Sequence, residues 1–434
     1  MNFLKLLYPG MHIKRWLLLF MLGVVIISLG FAYILRQVYI YYTFPNFVWY
    51  ITLQFIPRYI RGALFIGAGV ACIVGAVWRI YISLISALLP AGREDSLVNI
   101  IYNTYYLKRG PKVVAIGGGT GLSTLLRGLK DYTGNLSAIV TVADDGGSSG
   151  RLRRELGVPP PGDFRNCIAA LADAEPLMTR LFQYRFGEGS GLDGHSFGNL
   201  FIVAMSGVVG NFEEAIRESS RVLAVRGRIL PSTLADVTLC ARMEDEATVQ
   251  GESNITRSGH RIRQVYIEPK NAQAYSEAVD ALMEADLIVL GPGSLYTSLL
   301  PNLLVDDIAK AITASPAVKV YVCNVATERG ETDGFTVADH VEAIRQHVGN
   351  KIVDYVLVNS NVQATLPPEW QVSVVSPDVQ GLGGVELVMA DTVDEENRLR
   401  HDSKKLGSSL MGFYYEKRQG NGRRTGWLSL LNHR

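Results

Sequence analysis

Two long apolar runs dominate the first ninety residues of the chain. The first, Trp16 to Leu35 (WLLLFMLGVVIISLGFAYIL), carries no charge, and the second extends from about residue 62 to residue 80. About twenty apolar residues suffice to cross the hydrocarbon core of a bilayer. The segment between the runs contains VYIYYTFPNFVWY, and such aromatic residues are typical of a membrane interface. The pattern predicts a transmembrane hairpin over residues 1–90, with spans at about 16–35 and 62–80.

A cleaved signal peptide is the alternative interpretation of the first run, because Lys14 and Arg15 precede it. Its apolar core is long for a signal peptide, no small-x-small cleavage site follows, and a second apolar run comes next. The basic residues that flank the two runs favour, by a small bias, both ends of the hairpin in the cytosol. We therefore expect a two-span membrane protein whose main domain lies in the cytoplasm.

After a charged linker at residues 91–111, the hydrophobic pattern alternates between strands and helices. Runs such as KVVAIGG, SAIVTVA, QVYIEP, DLIVLGPGS, AVKVYVCNV and DYVLVNS are typical of parallel strands buried on both faces. The shorter, more polar stretch ADVTLCARMEDEATVQGESNI predicts an antiparallel hairpin inserted in the sheet. Residues 112–405 are thus predicted to form an α/β domain, a Rossmann-like, doubly wound, mostly parallel sheet with inserted hairpin and helical elements.

The predicted C-terminal tail, residues 406–434, ends in the basic sequence EKRQGNGRRTGWLSLLNHR. Such a segment could rest on an anionic membrane surface, and a solvated, disordered terminus is the alternative.

Composition narrows the functional classes. The chain has 42 Lys and Arg against 41 Asp and Glu, a formal net charge of +1, so no global field favours nucleic acid as a partner. The four cysteines lie far apart without CxxC spacing, so we expect no disulfide scaffold, no zinc and no haem. Neither a G-x-S-x-G elbow nor an H-E-x-x-H motif occurs, which argues against a serine hydrolase and a zinc protease.

A glycine-rich turn joins the first strand of this domain to a helix, in VVAIGGGTGLSTLLRGL (residues 113–129). Free backbone N–H groups and the helix dipole favour an anion at such a helix N-terminus. The P-loop lysine is absent and the glycine spacing departs from G-x-G-x-x-G, so neither a P-loop nor an NAD site is expected. Phosphate or diphosphate binding is favoured over tight helix–strand packing alone, and the candidate residues are Gly118, Gly119, Thr120 and Gly121.

The segment TVADDGGSSGRLRRELG follows the second strand candidate, on the sheet edge where α/β proteins bind ligands. Its carboxylates could hold a hard cation such as Mg²⁺, and its serines and arginine could meet a phosphate. A polar loop with an acidic helix cap is the alternative. The candidate ligand-binding residues are Asp144, Asp145, Ser148, Ser149 and Arg151, and the candidate metal ligands are Asp144 and Asp145.

Further polar residues lie at predicted helix starts and strand ends, in PPPGDFRN, GHSFGN, IVLGPGSLYT and CNVATERG. Helix capping by Asp163 and a structural role for His195 are the competing interpretations. The candidate ligand-binding residues in these segments are Asp163, Arg165, Asn166, His195, Asn199, Gly291, Gly293, Ser294, Tyr296 and Asn324.

Five motifs occur in a characteristic order: AIGGGTGLSTLLRGLK, VTVADDGGSSGRLRRELGVPPPGDFRNCIAALAD, GHSFGNLFIVAM, GPGSLYTSLLPNLLV and CNVATERGETDGFTVADHV. Together they resemble the gluconeogenesis factor family (YvcK-like) within the superfamily of 2-phospho-L-lactate transferases (CofD-like), from Lys112 to about Asp391. The resemblance implies binding of a UDP-sugar, UDP-N-acetylglucosamine in particular. It also implies a homodimer and a role in cell shape and envelope synthesis on gluconeogenic carbon sources.

This resemblance and the predicted membrane hairpin together suggest two alternative functions. The first is a membrane-tethered regulatory protein that binds a UDP-sugar, with the lipid bilayer and envelope-synthesis or regulatory proteins as partners. The second is a Mg²⁺-dependent transferase of the 2-phospho-L-lactate type, acting on a nucleotide diphosphate donor. The membrane hairpin departs from the resemblance, because most members of the family are soluble.

Overall fold

The computed structural model describes residues 13–42, 45–88, 107–173, 176–187, 189, 191–361, 372–378 and 382–420. The chain divides into two compact units, Met1–Thr104 and Tyr105–Arg434. Most of the predicted linker and the end of the predicted basic tail lie outside the described residues.

The first unit is helical where it is described. It contains α1 (Ile13–Tyr41), α2 (Asn46–Ile51) and α3 (Arg58–Leu88). Within α3, the 22 residues Arg58–Arg79 are long and apolar enough to cross a membrane, whereas the apolar stretch in the described part of α1, Leu22–Val38, is shorter. The described residues therefore contain one helix with the length and composition of a span, and the two-span hairpin stays a prediction.

The second unit is an α/β domain with ten strands in its described residues. The strands are β1 (Val113–Gly117), β2 (Leu136–Val140), β3 (Arg228–Pro231), β4 (Thr238–Met243), β5 (Thr248–Gln250), β6 (Ile262–Glu268), β7 (Leu287–Leu290), β8 (Val318–Val322), β9 (Tyr355–Asn359) and β10 (Glu386–Ala390). Seven of them form one parallel sheet in the order β10-β9-β8-β7-β1-β2-β3. Strands β1, β2 and β7 are buried along their whole length, as expected for apolar strands covered on both faces. The prediction of a Rossmann-like α/β fold is confirmed.

Twelve further helices are described in this unit. They are α4 (Gly119–Leu129), α5 (Gly147–Leu156), α6 (Gly162–Leu171), α7 (Pro176–Gln183), α8 (Phe197–Val209), α9 (Phe212–Val222), α10 (Glu252–Ser258), α11 (Ser276–Met283), α12 (Leu300–Leu303), α13 (Asp306–Ala314), α14 (Val337–Val348) and α15 (Ser403–Gly420). A short 3₁₀ turn, Leu107–Arg109, precedes β1, and a π-helical segment, Leu295–Leu299, precedes α12.

The direction of strand addition reverses between β1 and β7. These two strands pair in parallel, with Val113 opposite Leu287 and Ile116 opposite Leu290. From β1 the sheet extends through β2 to β3, and from β7 it extends the other way through β8 to β10. In doubly wound sheets, ligands bind in the crevice beyond the carboxyl ends of the strands at such a switch point. Both strands end there in glycine-rich turns.

A second, antiparallel sheet in the order β5-β4-β6 corrects part of the sequence-based prediction. The predicted hairpin exists as β4 and β5, but it lies outside the main sheet. The QVYIEP run, expected as a parallel strand, forms β6 and pairs antiparallel to β4. Its burial alternates, with Ile262, Val265 and Ile267 buried between more exposed residues, which is typical of a strand covered on one face.

The structure differs from the predicted tail because the domain continues past residue 405. Leu406, Leu410 and Met411 of α15 are fully buried, and α15 packs against α4. The two helices approach so closely that a Cβ at Gly128 would lie 1.9 Å from the Ser403 carbonyl oxygen. The apolar spacing in LGSSLMGFYY is the helical signal for this packing.

Candidate functional site

The first glycine turn joins β1 to α4 and leaves the N-terminus of α4 without a side-chain cap. Gly119 adopts a positive φ of 63°, which favours glycine. The Asp163 carboxylate accepts a hydrogen bond from the Gly119 N–H, and a Cβ on Gly118 would lie 2.5 Å from Asp163 Oδ2. Asp163 therefore accepts one N–H of the first turn, that of Gly119, instead of capping its own helix, whose N-cap is Pro161.

The second glycine turn follows β7 and lies against the first. Gly293, with φ of 147°, is held at both backbone groups by Asn324: its N–H donates to Asn324 Oδ1 and its carbonyl accepts from Asn324 Nδ2, each at 3.1 Å. A Cβ on Gly121 would lie 2.4 Å from the Pro292 carbonyl oxygen. The two turns thus approach backbone to backbone, which requires glycine at residue 121.

A cavity of about 360 Å³ opens between the two turns and the carboxyl end of β8. Such a volume lies within the usual range of small-molecule sites. Seven of the predicted residues line this cavity: Gly118, Gly119, Thr120, Gly121, Gly293, Ser294 and Asn324. We call it the glycine cavity.

Two glutamates after β8, the buried Glu331 and the half-buried Glu328, stabilise the wall of the glycine cavity. The Glu331 carboxylate accepts hydrogen bonds from Thr297 Oγ1 at 2.8 Å and from the Tyr296 N–H at 3.3 Å, so it fixes the start of the π-helical segment. Burial, and then the charge of Glu328, raise the pKa of Glu331 to about 7. Glu328 lines the cavity and hydrogen-bonds Ser294, and burial raises its pKa as well.

Replacing Glu331 with glutamine is expected to change how stability depends on pH. The folded-state pKa, about 7, lies above the ordinary value of 4.5. The folded protein therefore holds this proton more tightly, and the associated stability is present at low pH and lost as pH rises through 7. Between pH 5 and pH 8, the wild type should lose on the order of 2 kcal/mol of unfolding free energy relative to Glu331→Gln. Urea denaturation of the full-length chain measures this, with the exposed Glu342→Gln as control; parallel pH profiles of wild type and Glu331→Gln would contradict it.

His401 is a buried histidine in the cavity wall that the sequence did not single out. Its Nε2 lies 3.1 Å from the Cys323 carbonyl oxygen and its Nδ1 lies 2.9 Å from Thr392 Oγ1. A carbonyl can only accept, so Nε2 carries the proton and Nδ1 accepts from the threonine. Burial lowers the pKa of His401 to about 4, so the ring is neutral and fastens the loop before α15 to β8.

Three carboxyl groups meet beside the glycine cavity. Burial, and then the charge of Asp144, raise the pKa of Asp163 to about 7. Burial raises the pKa of Glu252 to about 9, together with the charge of Asp144 and a hydrogen bond between these two side chains. We call Asp144, Asp163 and Glu252 the carboxyl cluster. The sequence analysis missed Glu252, which lies at the start of α10 in a segment interpreted only as part of the inserted hairpin.

The structure separates the Asp144–Asp145 pair. Asp145 Oδ1 accepts a hydrogen bond from the Ser253 N–H at 2.9 Å, at the start of α10, whereas Asp144 Oδ1 accepts from the Gly146 N–H at 2.8 Å and adjoins the carboxyl cluster. In the described part of the chain, no group of three or more His, Cys, Asp or Glu side chains is arranged to hold a metal ion by itself. A cation at Asp144 would therefore need oxygen atoms from a ligand or water to complete its coordination.

Ser148, His195 and Asn199 form a buried hydrogen-bonded group that the sequence placed in two separate motifs. Ser148 Oγ lies 2.9 Å from His195 Nδ1 and accepts a hydrogen bond from Asn199 Nδ2 at 3.0 Å. Burial, followed by the charge of Arg151, lowers the pKa of His195. Nδ1 of the neutral imidazole can therefore accept a hydrogen bond from the Ser148 hydroxyl.

The remaining predicted residues do not line the glycine cavity. Tyr296 is 3 % exposed and packs against the rings of Phe335 and His347, so it belongs to the core. Arg165 donates to Asn166 Oδ1 at 2.8 Å, between α6 and the start of α8. Ser149 is buried and Gly291 shapes the second turn with φ of 75°.

Several cavity residues had no strong signal in the sequence. The cavity is also lined by Thr124, Pro292, Ser298, Val325, Ala326, Thr327, Glu328, Arg329, Val372, Leu399, Arg400 and His401. Leu399, Arg400 and His401 lie in the basic, histidine-containing stretch NRLRHD. This stretch was the one sequence feature that pointed to them, but it lies over a hundred residues beyond the second turn.

Comparisons with known proteins show the family of this chain. A family model described as 2-phospho-L-lactate transferase CofD matches residues 113–392. The gluconeogenesis factor of Bacillus subtilis is 49% identical over 313 residues, covering 70% of this chain and 99% of that protein. A protein of Nostoc sp. is 48% identical over 421 residues, covering 94% of this chain and 92% of its own length. The crystal structure of a protein from Bacillus halodurans matches with a TM-score of 0.67 and 46% identity, covering 70% of this chain and 99% of that chain.

Proposed function

The chain belongs to the gluconeogenesis factor family, with a CofD-type domain, and on that premise we propose that its glycine cavity binds a UDP-sugar. UDP-N-acetylglucosamine is the first candidate. The protein acts in this proposal as a regulatory binding protein that supports cell shape and envelope synthesis during growth on gluconeogenic carbon.

The observation that carries the proposal is the pairing of two glycine turns at the β1/β7 switch point. Gly118, Gly119 and Gly121 bring bare backbone to the cavity at the N-terminus of α4. The Gly119 N–H donates to Asp163, and the helix dipole with the remaining free N–H groups of the first turn of α4 favours a diphosphate. Asn324 holds the facing turn through two hydrogen bonds. Polar groups beyond β7 and β8, including Ser294 and Thr327 respectively, offer partners for the uridine or the sugar.

Mg²⁺ fits the donor set beside this cavity. Asp144 and Glu252 are oxygen ligands, and their mutual hydrogen bond together with the raised pKa of Glu252 reflects carboxyl groups that lack a compensating positive charge. Protein sites for Mg²⁺ commonly supply one or two carboxylates and leave the remaining positions to phosphate oxygens and water. In this proposal the ion neutralises the diphosphate, and Asp144 and Glu252 fix its position.

Calorimetric titration of the full-length chain in detergent tests the proposal. We expect saturable binding of UDP-N-acetylglucosamine that is strengthened by Mg²⁺ and weaker binding of GDP. Absence of saturation at millimolar UDP-N-acetylglucosamine would refute the UDP-sugar function. If GDP instead bound more tightly and a phospholactyl-type donor were consumed in the presence of a deazaflavin acceptor, the transferase function would replace it.

We further propose that the first unit tethers the protein to the lipid bilayer, with the CofD-type domain in the cytoplasm. The exposed apolar surface of α3 supports this tether, since Ile66 and Val74 are 70% and 62% exposed. Extraction of membranes with alkaline carbonate tests it: the protein should stay in the pellet, and release into the supernatant would contradict an integral anchor. A homodimer and an envelope-synthesis or regulatory partner complete the proposal, and cross-linking in cells tests both.

A further inference from the structure

A second cleft, of about 540 Å³, lies on the other side of the loop that follows β2. Its lining includes four arginines from three separate parts of the chain. Arg151 and Arg154 come from α5, Arg185 follows α7, and Arg257 lies in the last turn of α10. We call it the arginine cleft.

None of these four arginines forms an ion pair with a carboxylate within the described residues. Arg151 and Arg185 donate to the backbone carbonyls of Asp193 and Gly194, and Arg154 donates to the Asp145 carbonyl at 3.3 Å. These bonds orient the guanidinium groups and leave their charge uncompensated. The lining contains a single carboxylate, Asp145, which already accepts the Ser253 N–H.

The start of a helix adds backbone N–H donors to the arginine cleft. Helix α5 begins at Gly147 in the cleft wall, and its N-terminus has no side-chain cap. Its first free N–H groups and its dipole add to the positive potential. Ser148 lies in the wall as well, fixed by its hydrogen bonds to His195 and Asn199.

We propose that the arginine cleft binds a second, phosphate-bearing ligand, separate from the ligand of the glycine cavity. A planar guanidinium recognises phosphate oxygens through two parallel N–H bonds, and four such groups around one helix N-terminus match a phosphate dianion. A phosphomonoester is the chemical class that this arrangement fits.

The two sites are distinct because they share no lining residue. The glycine cavity is bounded by residues of β1, β7 and β8 and their turns, whereas the arginine cleft is bounded by α5, α10 and the segments around Arg185 and Gly194. The loop from Asp144 to Ser148 lies between the two sites. Asp144 belongs to the carboxyl cluster, and Asp145 and Ser148 line the arginine cleft. A ligand in the cleft therefore contacts the same loop that adjoins the glycine cavity.

Titration of the full-length chain with inorganic phosphate, followed by ³¹P NMR at low ionic strength, tests the second site. We expect saturable binding that persists in the presence of saturating UDP-N-acetylglucosamine. Arg185→Gln should weaken phosphate binding about tenfold, as expected for loss of one charge-assisted contact. Arg257→Gln should act in the same direction, and because the Arg257 side chain has no hydrogen bond or ion pair within the described residues, its loss should not disturb folding.

The matched control is Arg180→Gln, which removes the same charge from an exposed position of α7 outside the cleft. It should leave phosphate binding within twofold of wild type. Absence of saturable phosphate binding, or equal weakening by Arg180→Gln, would overturn the second site. Stoichiometric displacement of phosphate by UDP-N-acetylglucosamine would also overturn it, because both ligands would then share one site. Failure of UDP-N-acetylglucosamine to bind while phosphate binds would refute the proposed function alone.

Discussion

Replacing Gly121 with alanine is expected to weaken UDP-sugar binding roughly ten- to a hundredfold and to destabilise the domain. The new Cβ would lie 2.4 Å from the Pro292 oxygen, 2.7 Å from its carbonyl carbon and 2.8 Å from the Gly293 nitrogen. All three are backbone atoms, so the second turn must move away from the first. Overpacking of this kind costs about 1–3 kcal/mol, and here it separates the two walls of the glycine cavity.

Gly207→Ala provides the control for this substitution. Residue 207 lies inside α8, where a Cβ meets no atom within 4 Å, so alanine should leave binding unchanged and slightly favour the helix. Calorimetry with UDP-N-acetylglucosamine and thermal denaturation measure both variants. Wild-type affinity in Gly121→Ala would show that the close approach of the two turns is not needed for the ligand.

Replacing Asp144 with asparagine is expected to stabilise the folded protein while abolishing the effect of Mg²⁺ on UDP-sugar binding. The charge of Asp144 contributes to the raised pKa values of Asp163, about 7, and Glu252, about 9. Removing it relieves repulsion in the carboxyl cluster, and asparagine can still accept the Gly146 N–H and can donate to Glu252. Residues placed for ligand binding commonly reduce stability in this way. The same substitution removes a charged oxygen ligand from the proposed Mg²⁺ site.

The variant Asp145→Asn tests whether Asp145 also binds the proposed Mg²⁺, as the sequence analysis expected, or whether Asp144 binds it without Asp145. Asparagine at position 145 can still accept the Ser253 N–H at the start of α10, but it loses the negative charge beside that helix N-terminus, which should cost about 0.5 kcal/mol of stability. The effect of Mg²⁺ on binding should persist. Thermal denaturation and titrations with and without Mg²⁺ distinguish the two variants. Loss of the Mg²⁺ effect in Asp145→Asn, or a destabilised Asp144→Asn, would contradict the assignment of roles made from the structure.

The two sites that we propose meet at one loop, and this explains why its sequence, DDGGSS, is so polar. Asp144 belongs to the carboxyl cluster, and Asp145 accepts a hydrogen bond at the start of α10. Ser148 is hydrogen-bonded to His195 and Asn199. Gly150 is required for a different reason: a Cβ there would lie 1.7 Å from the Asp145 carbonyl oxygen. Each position in the loop thus has a separate physical role, although the sequence suggested a single phosphate- and metal-binding motif.

Much of the glycine cavity could be predicted from the sequence because its turns follow strongly apolar strands. Strands β1, β2, β7, β8 and β9 were all predicted, and parallel strands place their carboxyl ends on the same edge. The glycines after β1 and β7 therefore had to face the same crevice. Strands β3 and β10 were not predicted, since they lie at the two edges of the sheet and no residue of β10 is fully buried. The sequence analysis expected Tyr296 at the ligand site. The π-helical segment instead places Tyr296 in the core, while Ser294 and Ser298 line the cavity.

The sequence by itself determined the α/β class and the family, and it predicted an anion site at the first turn, because these inferences depend on local periodicity and on short motifs. The tertiary structure alone decided which charges meet. Packing of the domain places Glu252 beside Asp144, and it places the Asp163 carboxylate where it accepts the Gly119 N–H instead of capping its own helix. The same packing places four arginines from three segments in one cleft. Pairings between residues far apart in the chain depend on packing of the whole domain, and no local pattern in the sequence encodes them.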